Sequence, residues 1–409
     1  MSKKISLKNI SSIFAFILVF AVTFALEVLQ IGEIGTIVFI PLGFIIFFLN
    51  RFTTTKKVLA LKPLFWYLLF FLLASLSILY SIDVYAAIDT QKKMLIVLMF
   101  TIAVFSYSMS SINAIRTMYK ANVFVLFALI AYTLTLGVEM GGEQRIEESE
   151  ITANTYGYYV FTGLFSLFLL YTTNRLNNAY RKIYIVIITV ASIFSLWLIL
   201  ASASRGAAII VSLLIGGNIF IISVISKKTI LKKVIISIFF FVGIFYFAVF
   251  FTNTFLNDSY LLVRFLDLNE RLTPRAYHFN KAIEIGLDNP IFGVGAGNYA
   301  VVPKLIEQGS FSHNSFAEAF ANFGLIGLFI YFMIYYSLLK RILKNLKTNN
   351  IKLKIINYQI LLFMLLFIVY NVLYVVYLNN TFMHFLFVIY AQLLLIERIE
   401  SKNKIKNLS

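Results

Sequence analysis

The sequence predicts an all-α, polytopic integral membrane protein. Hydrophobic residues make up 60% of its 409 residues and charged residues 13%, which excludes a soluble globule of this length. The hydrophobic residues form continuous runs near or above the ~18 residues needed to cross the hydrocarbon core, unlike the alternating segments of a membrane β-barrel. We therefore expect residues 1–409 to form a single membrane domain.

About 12 of these runs are long enough to be transmembrane helices. They cover residues 9–27, 34–50, 63–81, 94–110, 118–137, 157–173, 183–201, 205–225, 234–252, 315–339, 355–376 and 381–396. Lysines precede the first run, as in a signal peptide, but no clear cleavage site follows, so we interpret it as a retained span. The last two runs, separated around Asn379, are either two spans or one re-entrant element.

The distribution of charge predicts the orientation. With the N-terminus in the cytoplasm, the inner connections carry roughly three quarters of the 35 Lys and Arg residues and few of the 18 acidic residues, as the positive-inside rule requires. Both termini are then cytoplasmic. The net charge of +17 is accounted for by contacts with the lipid bilayer, so no nucleic acid partner is predicted. Because cysteine is absent, disulfides and thiolate chemistry are excluded.

A large outer loop, residues 253–314 between spans nine and ten, is the longest polar interruption. It contains a cluster of arginines, two of the three histidines and the run GVGAG at 293–297. That run lacks the preceding strand and following Lys-Ser/Thr of a nucleotide-binding loop, so we interpret it as a flexible bend. A second outer segment, 137–157, is acidic and is either a solvated loop or part of a sugar-binding rim.

Arg205 lies where span eight begins, after Ser204. A helix N-terminus is the wrong end for a cation because the helix dipole is positive there. A bound anion between the two would account for this placement. The alternative is an arginine that extends from the membrane boundary towards water.

Arg275 is predicted to lie in the first turn of a short amphipathic helix within the outer loop. Thr273-Pro274 has the pattern of an N-cap and first helical residue, and the helix is expected to end near Asp288. Phe279 and Ile283 are expected to bury this helix against the bundle or the membrane surface.

Three further residues of this region are weaker candidates. Arg271 is more readily explained by an ion pair with a neighbouring acidic residue, and His278 lies on the outer helix. Glu318 follows Ser315 with the spacing of a helix capping box, which gives it a structural explanation.

His313 precedes the start of span ten. An imidazole titrates near neutral pH, which suits a general base for a sugar hydroxyl, although a simple interfacial histidine is the alternative. Arg205 and Arg275, with free backbone N–H groups, would form a cradle for a diphosphate, since guanidinium matches phosphate oxygens bidentately. No His, Asp or Glu cluster has metal-ligand spacing, so we expect a site without metal or cofactor.

Four short motifs stand in a fixed order relative to the spans. They are Ser204-Arg205-Gly206, Arg275 four residues before Phe279, Asn289-Pro290 followed by Gly293-Val294-Gly295, and His313-Asn314 followed by Gly324-Leu325-Ile326-Gly327. With these motifs and its twelve-span layout, the chain resembles the O-antigen ligase and polymerase superfamily of bacterial membrane glycosyl-transfer proteins. An aromatic residue, commonly tryptophan, is expected near position 279; phenylalanine there lacks the indole donor.

The resemblance implies transfer of a glycan from an undecaprenyl-diphosphate carrier to an acceptor hydroxyl, with inversion and without a metal. It implies that Arg205 and Arg275 hold the diphosphate and that His313 acts on the acceptor. It also implies the outer face of a bacterial inner (plasma) membrane, with flippase and chain-length regulator proteins as partners in polysaccharide biosynthesis.

The family has two activities, and the shared motifs serve both. A polymerase joins lipid-linked repeat units of O-antigen or capsule, whereas a ligase transfers the finished chain to lipid A-core in lipopolysaccharide. The pattern around His313 favours the polymerase. A lipid-linked oligosaccharide flippase is the alternative from another class, and it would require a central cavity, broken helices and pseudo-symmetric halves.

Overall fold

The computed structural model describes residues 7–26, 62–135, 153–173, 178–202, 204–225, 268–302 and 311–406. Within these ranges the regular elements are helices and no strand occurs. The α-helices are α1 (Leu7–Phe20, continued by a π-helical segment Ala21–Leu26), α2 (Lys62–Ser77), α3 (Val84–Ser108), α4 (Ile112–Thr135), α5 (Ala153–Thr173), α6 (Asn178–Ala201), α7 (Arg205–Ile225), α8 (Leu268–Asp288), α9 (Ser315–Asn345), α10 (Ile351–Leu373) and α11 (Asn380–Lys406).

Six of these helices, α4, α6, α7, α9, α10 and α11, are long and apolar enough to cross a membrane. The all-α class is thus confirmed for the described residues, and the last two apolar runs form two separate helices. Predicted spans 34–50 and 234–252 lie outside the described residues, so the count of twelve stays a prediction.

Helix α11 forms the centre of the bundle. Its apolar window is 83% buried, whereas the windows of α6 and α7 are only 28% buried. Most exposed residues of α6 beyond its basic first turn are themselves apolar, including Ile183, Val186 and Ile193. An exposed surface of this composition is suited to lipid, which places α6 and α7 at the periphery.

Buried polar side chains join neighbouring helices inside the bundle. Gln359 of α10 donates to Asn218 of α7 over 2.9 Å. Asn371 of α10 accepts from the hydroxyl of Tyr335 of α9 over 3.0 Å. Hydrogen bonds of this kind hold membrane helices together, because lipid offers polar groups no partner.

Basic residues of the predicted inner connections gather at one end of α5. Arg116 and Lys352 donate to the carbonyl of Thr173 over 2.9 and 3.1 Å. Tyr158, near the opposite end of α5, lines a cavity together with segments that were predicted to be outer. The two classes of connection are therefore sorted as the charge pattern predicts, and which end faces the cytoplasm stays a prediction.

Helix α8 differs from its prediction in two ways. It begins at Leu268, so Thr273-Pro274 lies inside it and Arg275 is not in the first turn. The predicted first-turn position of Arg275 is therefore wrong, and the helix dipole, whose effect is confined to the first turn, does not bear on this arginine. Its buried face contains Ala282 and Ile285, whereas Phe279 is 40% exposed.

Small residues explain why this other face of α8 is buried. Ala282 packs with Ala317 and Ala321 of α9. Gly286 lies against the ring of Phe320, where an added Cβ would come within 2.4 Å of a ring carbon. The lack of bulk lets α8 approach α9 closely, and this contact places the outer helix beside the start of α9.

Helix α9 is broken at Gly324, which has φ 65° and ψ −163°. The backbone groups released by the break pair with the 290–295 loop, which contains the first part of GVGAG. The bonds are Val294 N–H to Ala321 O (3.0 Å), Gly295 N–H to Asn322 O (2.9 Å) and Leu325 N–H to Pro290 O (2.8 Å). The interpretation of GVGAG as a flexible bend is therefore wrong: its backbone is hydrogen-bonded to a broken membrane helix, which needs such partners.

Candidate functional site

A cavity of about 770 Å³ opens among helix ends. Its walls are the first turns of α3, the 297–301 turn, the start of α9 and the 374–379 turn, together with Tyr158. Each of these segments lies on the side that the charge pattern predicts to be outer. The volume is within the ~300–1,000 Å³ typical of small-molecule sites.

His313 lines this cavity and has an unusual backbone. Its φ is 56°, and among the described non-glycine residues it is the one with a positive φ. The next residue, Asn314, is the N-cap of α9, and its side chain accepts from the N–H groups of Phe316 and Ala317 over 2.9 and 3.0 Å. A left-handed residue directly before the cap projects from the helix start, and such strained residues cluster at functional sites.

Glu318 holds the turn that carries His313. Its carboxylate accepts from the N–H and the hydroxyl of Ser312, over 3.1 and 3.0 Å, and from the hydroxyl of Tyr377 over 3.0 Å. The predicted capping box is wrong, because Asn314 is the N-cap and Ser315 instead hydrogen-bonds the backbone of residues 374 and 376. Glu318 is 4% exposed and lines the cavity, so it ties the His313 turn to the wall opposite.

The electrostatic surroundings of His313 favour the neutral imidazole. Partial burial, the charge of Arg275 and then the neighbouring His278 lower the pKa of His313 to about 4. The rings of His278 and His313 are 6.1 Å apart. The structure thus brings three predicted residues together: His313 in the cavity wall, with exposed Arg275 and partly buried His278 beside it on α8.

Arg205 begins α7, as predicted, and the start of this helix abuts the same wall. The hydroxyl of Ser204 lies 3.3 Å from that of Tyr374, a cavity residue. A Cβ on Gly206 would come within 2.8 Å of the same hydroxyl, so α7 can approach this closely only with glycine there. The side chains of Arg205 and Arg271 lie outside the described residues, as does most of the acidic segment 137–157.

Polar residues that were not predicted from the sequence connect the walls of the cavity. Tyr299 N–H donates to Asn322 Oδ1 over 2.8 Å, and Asn322 Nδ2 donates to the Tyr377 hydroxyl over 3.3 Å. The Tyr299 hydroxyl in turn donates to the carbonyl of His278 over 2.9 Å. An asparagine within an apolar span is a signal that could have found Asn322, since polar residues there are costly unless they have partners.

Residues 190–332 match the O-antigen ligase family. The matched segment runs from α6 into α9 and contains all four motifs on which the resemblance rests, so the resemblance to the O-antigen ligase and polymerase superfamily is confirmed. A comparison with curated proteins finds no match to this chain.

The family match supports a broad class for this protein. O-antigen ligase family members are membrane proteins of the glycosyltransferase type, acting as ligases or polymerases. The six span-length apolar helices agree with an integral membrane protein. Within the matched segment, His313, Arg275 and the start of α7 lie around or beside one cavity, which is the candidate active site.

Proposed function

We propose that this chain is a polysaccharide polymerase. It transfers a glycan from an undecaprenyl-diphosphate carrier to a hydroxyl of another lipid-linked repeat unit, at the outer face of a bacterial plasma membrane. The observation that carries the proposal is that His313 lines a cavity on the predicted outer side, with two features beside it. Arg275 is close enough to lower the pKa of His313, and Ser204, directly before α7, lies 3.3 Å from the cavity residue Tyr374.

In the proposed reaction the acceptor hydroxyl attacks C1 of the donor sugar. The bond from C1 to the phosphate oxygen breaks, and the carrier diphosphate leaves with the electron pair, so the configuration at C1 is inverted. The hydroxyl proton passes to an imidazole nitrogen of His313, the general base. Arg205 and Arg275 bind the diphosphate and stabilise its growing charge, and no metal ion takes part.

The pKa of His313 supports this role. An imidazole with a pKa of about 4 is neutral at pH 7, so its nitrogen lone pair is available to the acceptor. Such an imidazole is a weak base while the site is empty. A bound diphosphate would offset the charge of Arg275, so the pKa of His313 would rise when the substrate arrives. Substrate binding would therefore make His313 a stronger base in the enzyme–substrate complex, where the acceptor hydroxyl must be deprotonated.

The ligase reaction is the alternative within the family, with lipid A-core as acceptor. It would use the same donor cradle and the same base. The motif pattern around His313 favours the polymerase, for which flippase and chain-length regulator proteins are the expected partners.

One feature of the structure bears on the transporter alternative. The break of α9 at Gly324 is of a kind that transporters place at their binding sites. Here, however, the cavity is lined by segments that the charge pattern assigns to the outer side, rather than by residues shared between two faces. The arrangement therefore favours chemistry at the outer face over passage across the membrane.

A surface-glycan gel tests the proposal. A strain without this gene is compared with the same strain carrying it on a plasmid. Loss of the long-chain ladder, with a single repeat unit still attached, is the result expected of a polymerase. Loss of every attached unit with accumulation of lipid-linked polymer would indicate the ligase, and an unchanged ladder would contradict both.

A further inference from the structure

The wall of the cavity formed by α3 has no part in the chemistry described so far. It presents Asp83, Tyr85, Asp89 and Lys93 to the cavity. None of these residues lies in the segment that matches the family. We propose that this wall is the acceptor subsite, which binds the terminal sugar of the acceptor glycan through Tyr85, Asp89 and Lys93; the inference rests on the proposed function.

Charge separates the two sides of the cavity. On the His313 side, Arg275 and the start of α7 lie beside the cavity and suit the anionic donor. The carboxylate of Glu318 on that side is engaged by Ser312 and Tyr377. The α3 wall carries two carboxylates and one ammonium, so it disfavours a diphosphate through like-charge repulsion. A carboxylate accepts hydrogen bonds from hydroxyl groups, and an ammonium donates to hydroxyl and ring oxygens. The ligand that fits this wall is therefore a neutral, hydroxyl-rich saccharide.

Tyr85 supplies a surface for the apolar face of a sugar ring. It is 86% exposed although it is a large aromatic residue, and it lies where α3 begins at the cavity. Its neighbour Asp83 is occupied as the N-cap of α3, accepting from the N–H groups of Tyr85 and Ala86 over 2.8 and 3.1 Å. Asp83 thereby fixes the first turn of α3, and Tyr85 and Asp89 remain to contact a ligand.

Asp89 and Lys93 can turn to a ligand at little cost. Their ion pair is 2.8 Å long, but both side chains are about 60% exposed. An exposed pair of this kind contributes little to stability, since both charges are also well solvated when apart. One turn apart on the helix surface, they present a donor and an acceptor next to each other.

The α3 wall is held in place relative to His313. Asn298 accepts from the N–H of Asp83 over 2.6 Å and donates to its carbonyl over 3.1 Å. Gly297 lies against α3 so closely that a Cβ there would come within 2.2 Å of the Thr90 hydroxyl. The loop that carries Gly297 is in turn bonded to α9, which begins directly after His313 and Asn314. An acceptor bound on α3 is thus positioned with respect to the general base, and fixed geometry of this kind favours reaction.

The test uses the purified full-length protein in nanodiscs. The donor is the lipid-linked repeat unit extracted from the strain without the gene, and the probe is the free repeat-unit oligosaccharide released from its carrier by mild acid. The oligosaccharide is measured as an acceptor and as a competitive inhibitor. Variants Tyr85→Ala, Asp89→Asn and Lys93→Ala are compared with Lys92→Ala, an exposed neighbour that does not line the cavity.

We expect Tyr85→Ala and Asp89→Asn to raise the KM or inhibition constant of the oligosaccharide about 10-fold or more, with a smaller change in kcat. Lys93→Ala should have the same effect to a lesser extent, and Lys92→Ala none. Inhibition by undecaprenyl diphosphate, which probes the diphosphate cradle, should be the same in all four variants as in the wild type.

Three results would overturn the subsite. In the first, the wild type elongates lipid-linked units and the variants bind the oligosaccharide with the same KM and inhibition constant as the wild type. The proposed acceptor subsite is then wrong, while the proposed function stands. The same holds if the free oligosaccharide neither accepts nor competes at millimolar concentration. If the wild type does not elongate authentic lipid-linked units at all, the proposed function fails and the subsite with it.

Discussion

At the scale of single residues, the neighbourhood of His313 makes a prediction about protonation. Replacing Arg275 by Gln removes a charge that lowers the pKa of His313, so this pKa should rise from about 4 towards the ordinary 6.5. An NMR titration of labelled imidazoles can follow it, because the chain has three histidines and His278→Gln assigns one of them.

Lys281→Gln is the control for this titration, since Lys281 pairs with Glu284 on the same helix over 2.6 Å. It should leave the pKa of His313 unchanged.

In the wild type the folded pKa of His313 lies below the unfolded value of 6.5. The stability linked to His313 is therefore full above about pH 6.5 and is lost as the pH falls towards 4. A pKa of His313 near 6.5 in the wild type, or a pKa that does not change in Arg275→Gln, would contradict the proposed electrostatic effect on His313.

Glu318 carries a second prediction at this scale. Glu318→Gln replaces an acceptor oxygen by an NH₂ group that faces either the Ser312 donors or the Tyr377 hydroxyl. The mismatch should cost about 1–3 kcal/mol of stability and loosen the turn that carries His313. Thermal unfolding and the glycan ladder measure both effects, and the exposed Glu284→Gln should change neither. A stable, fully active Glu318→Gln would show that this carboxylate does not hold the turn.

The sequence allowed residues that the fold brings close together to be selected, but not their contacts to be predicted. His313, Arg275 and the start of α7 could be selected because cations and imidazoles in polar segments between spans are conspicuous in an apolar chain. The role of Glu318 could not be predicted, because its partner Tyr377 is distant in sequence and a capping box explained the same spacing locally. Asn322 and Tyr299 were missed for a similar reason, since their hydrogen bonds join segments that only the fold brings together.

At the scale of elements, the break in α9 depends on Gly324. Its φ of 65° is strained for a residue with a side chain, and a Cβ there would come within 2.3 Å of the Ile291 carbonyl. Gly324→Ala should therefore cost roughly 1–3 kcal/mol or more and displace the loop that supports the cavity. Thermal unfolding and the glycan ladder would show the loss.

Leu325→Ala is the matched control for Gly324→Ala, because it removes an exposed side chain from the same turn without disturbing the break. It should leave both measurements close to wild type. Equal stability of Gly324→Ala and the wild type would mean that the break is not required for the fold.

Helix type was predictable from the sequence, but helix boundaries were less so. Continuous apolar runs identified α9, α10 and α11, because the length of an apolar run is enough to predict a membrane-spanning helix. The start of α8 was placed at Thr273 because Thr-Pro is a strong local start signal, yet the helix begins at Leu268. Of the two residues predicted to bury this helix, Ile283 packs partly against the Ala282 cluster, whereas Phe279 is 40% exposed, because the small residues Ala282 and Gly286 allow the closest approach to α9.

At the scale of the whole molecule, the orientation can be tested directly. The chain has no cysteine, so a single introduced cysteine is the only thiol. Lys92→Cys should react with a membrane-impermeant maleimide in intact spheroplasts, because the α3 end is predicted to be outer. Asn349→Cys, in the basic turn between α9 and α10, should react only after permeabilisation. Both positions are exposed, so the opposite pattern of labelling would reverse the predicted topology.

The most direct measurement of the central claim is the glycan ladder of the deletion strain carrying Arg205→Ala, Arg275→Ala or His313→Ala, each at wild-type protein level in the membrane. The account predicts that each variant loses the ladder, and that Arg275→Lys is also impaired because an ammonium lacks the bidentate fork. Wild-type ladders from all three alanine variants would contradict it.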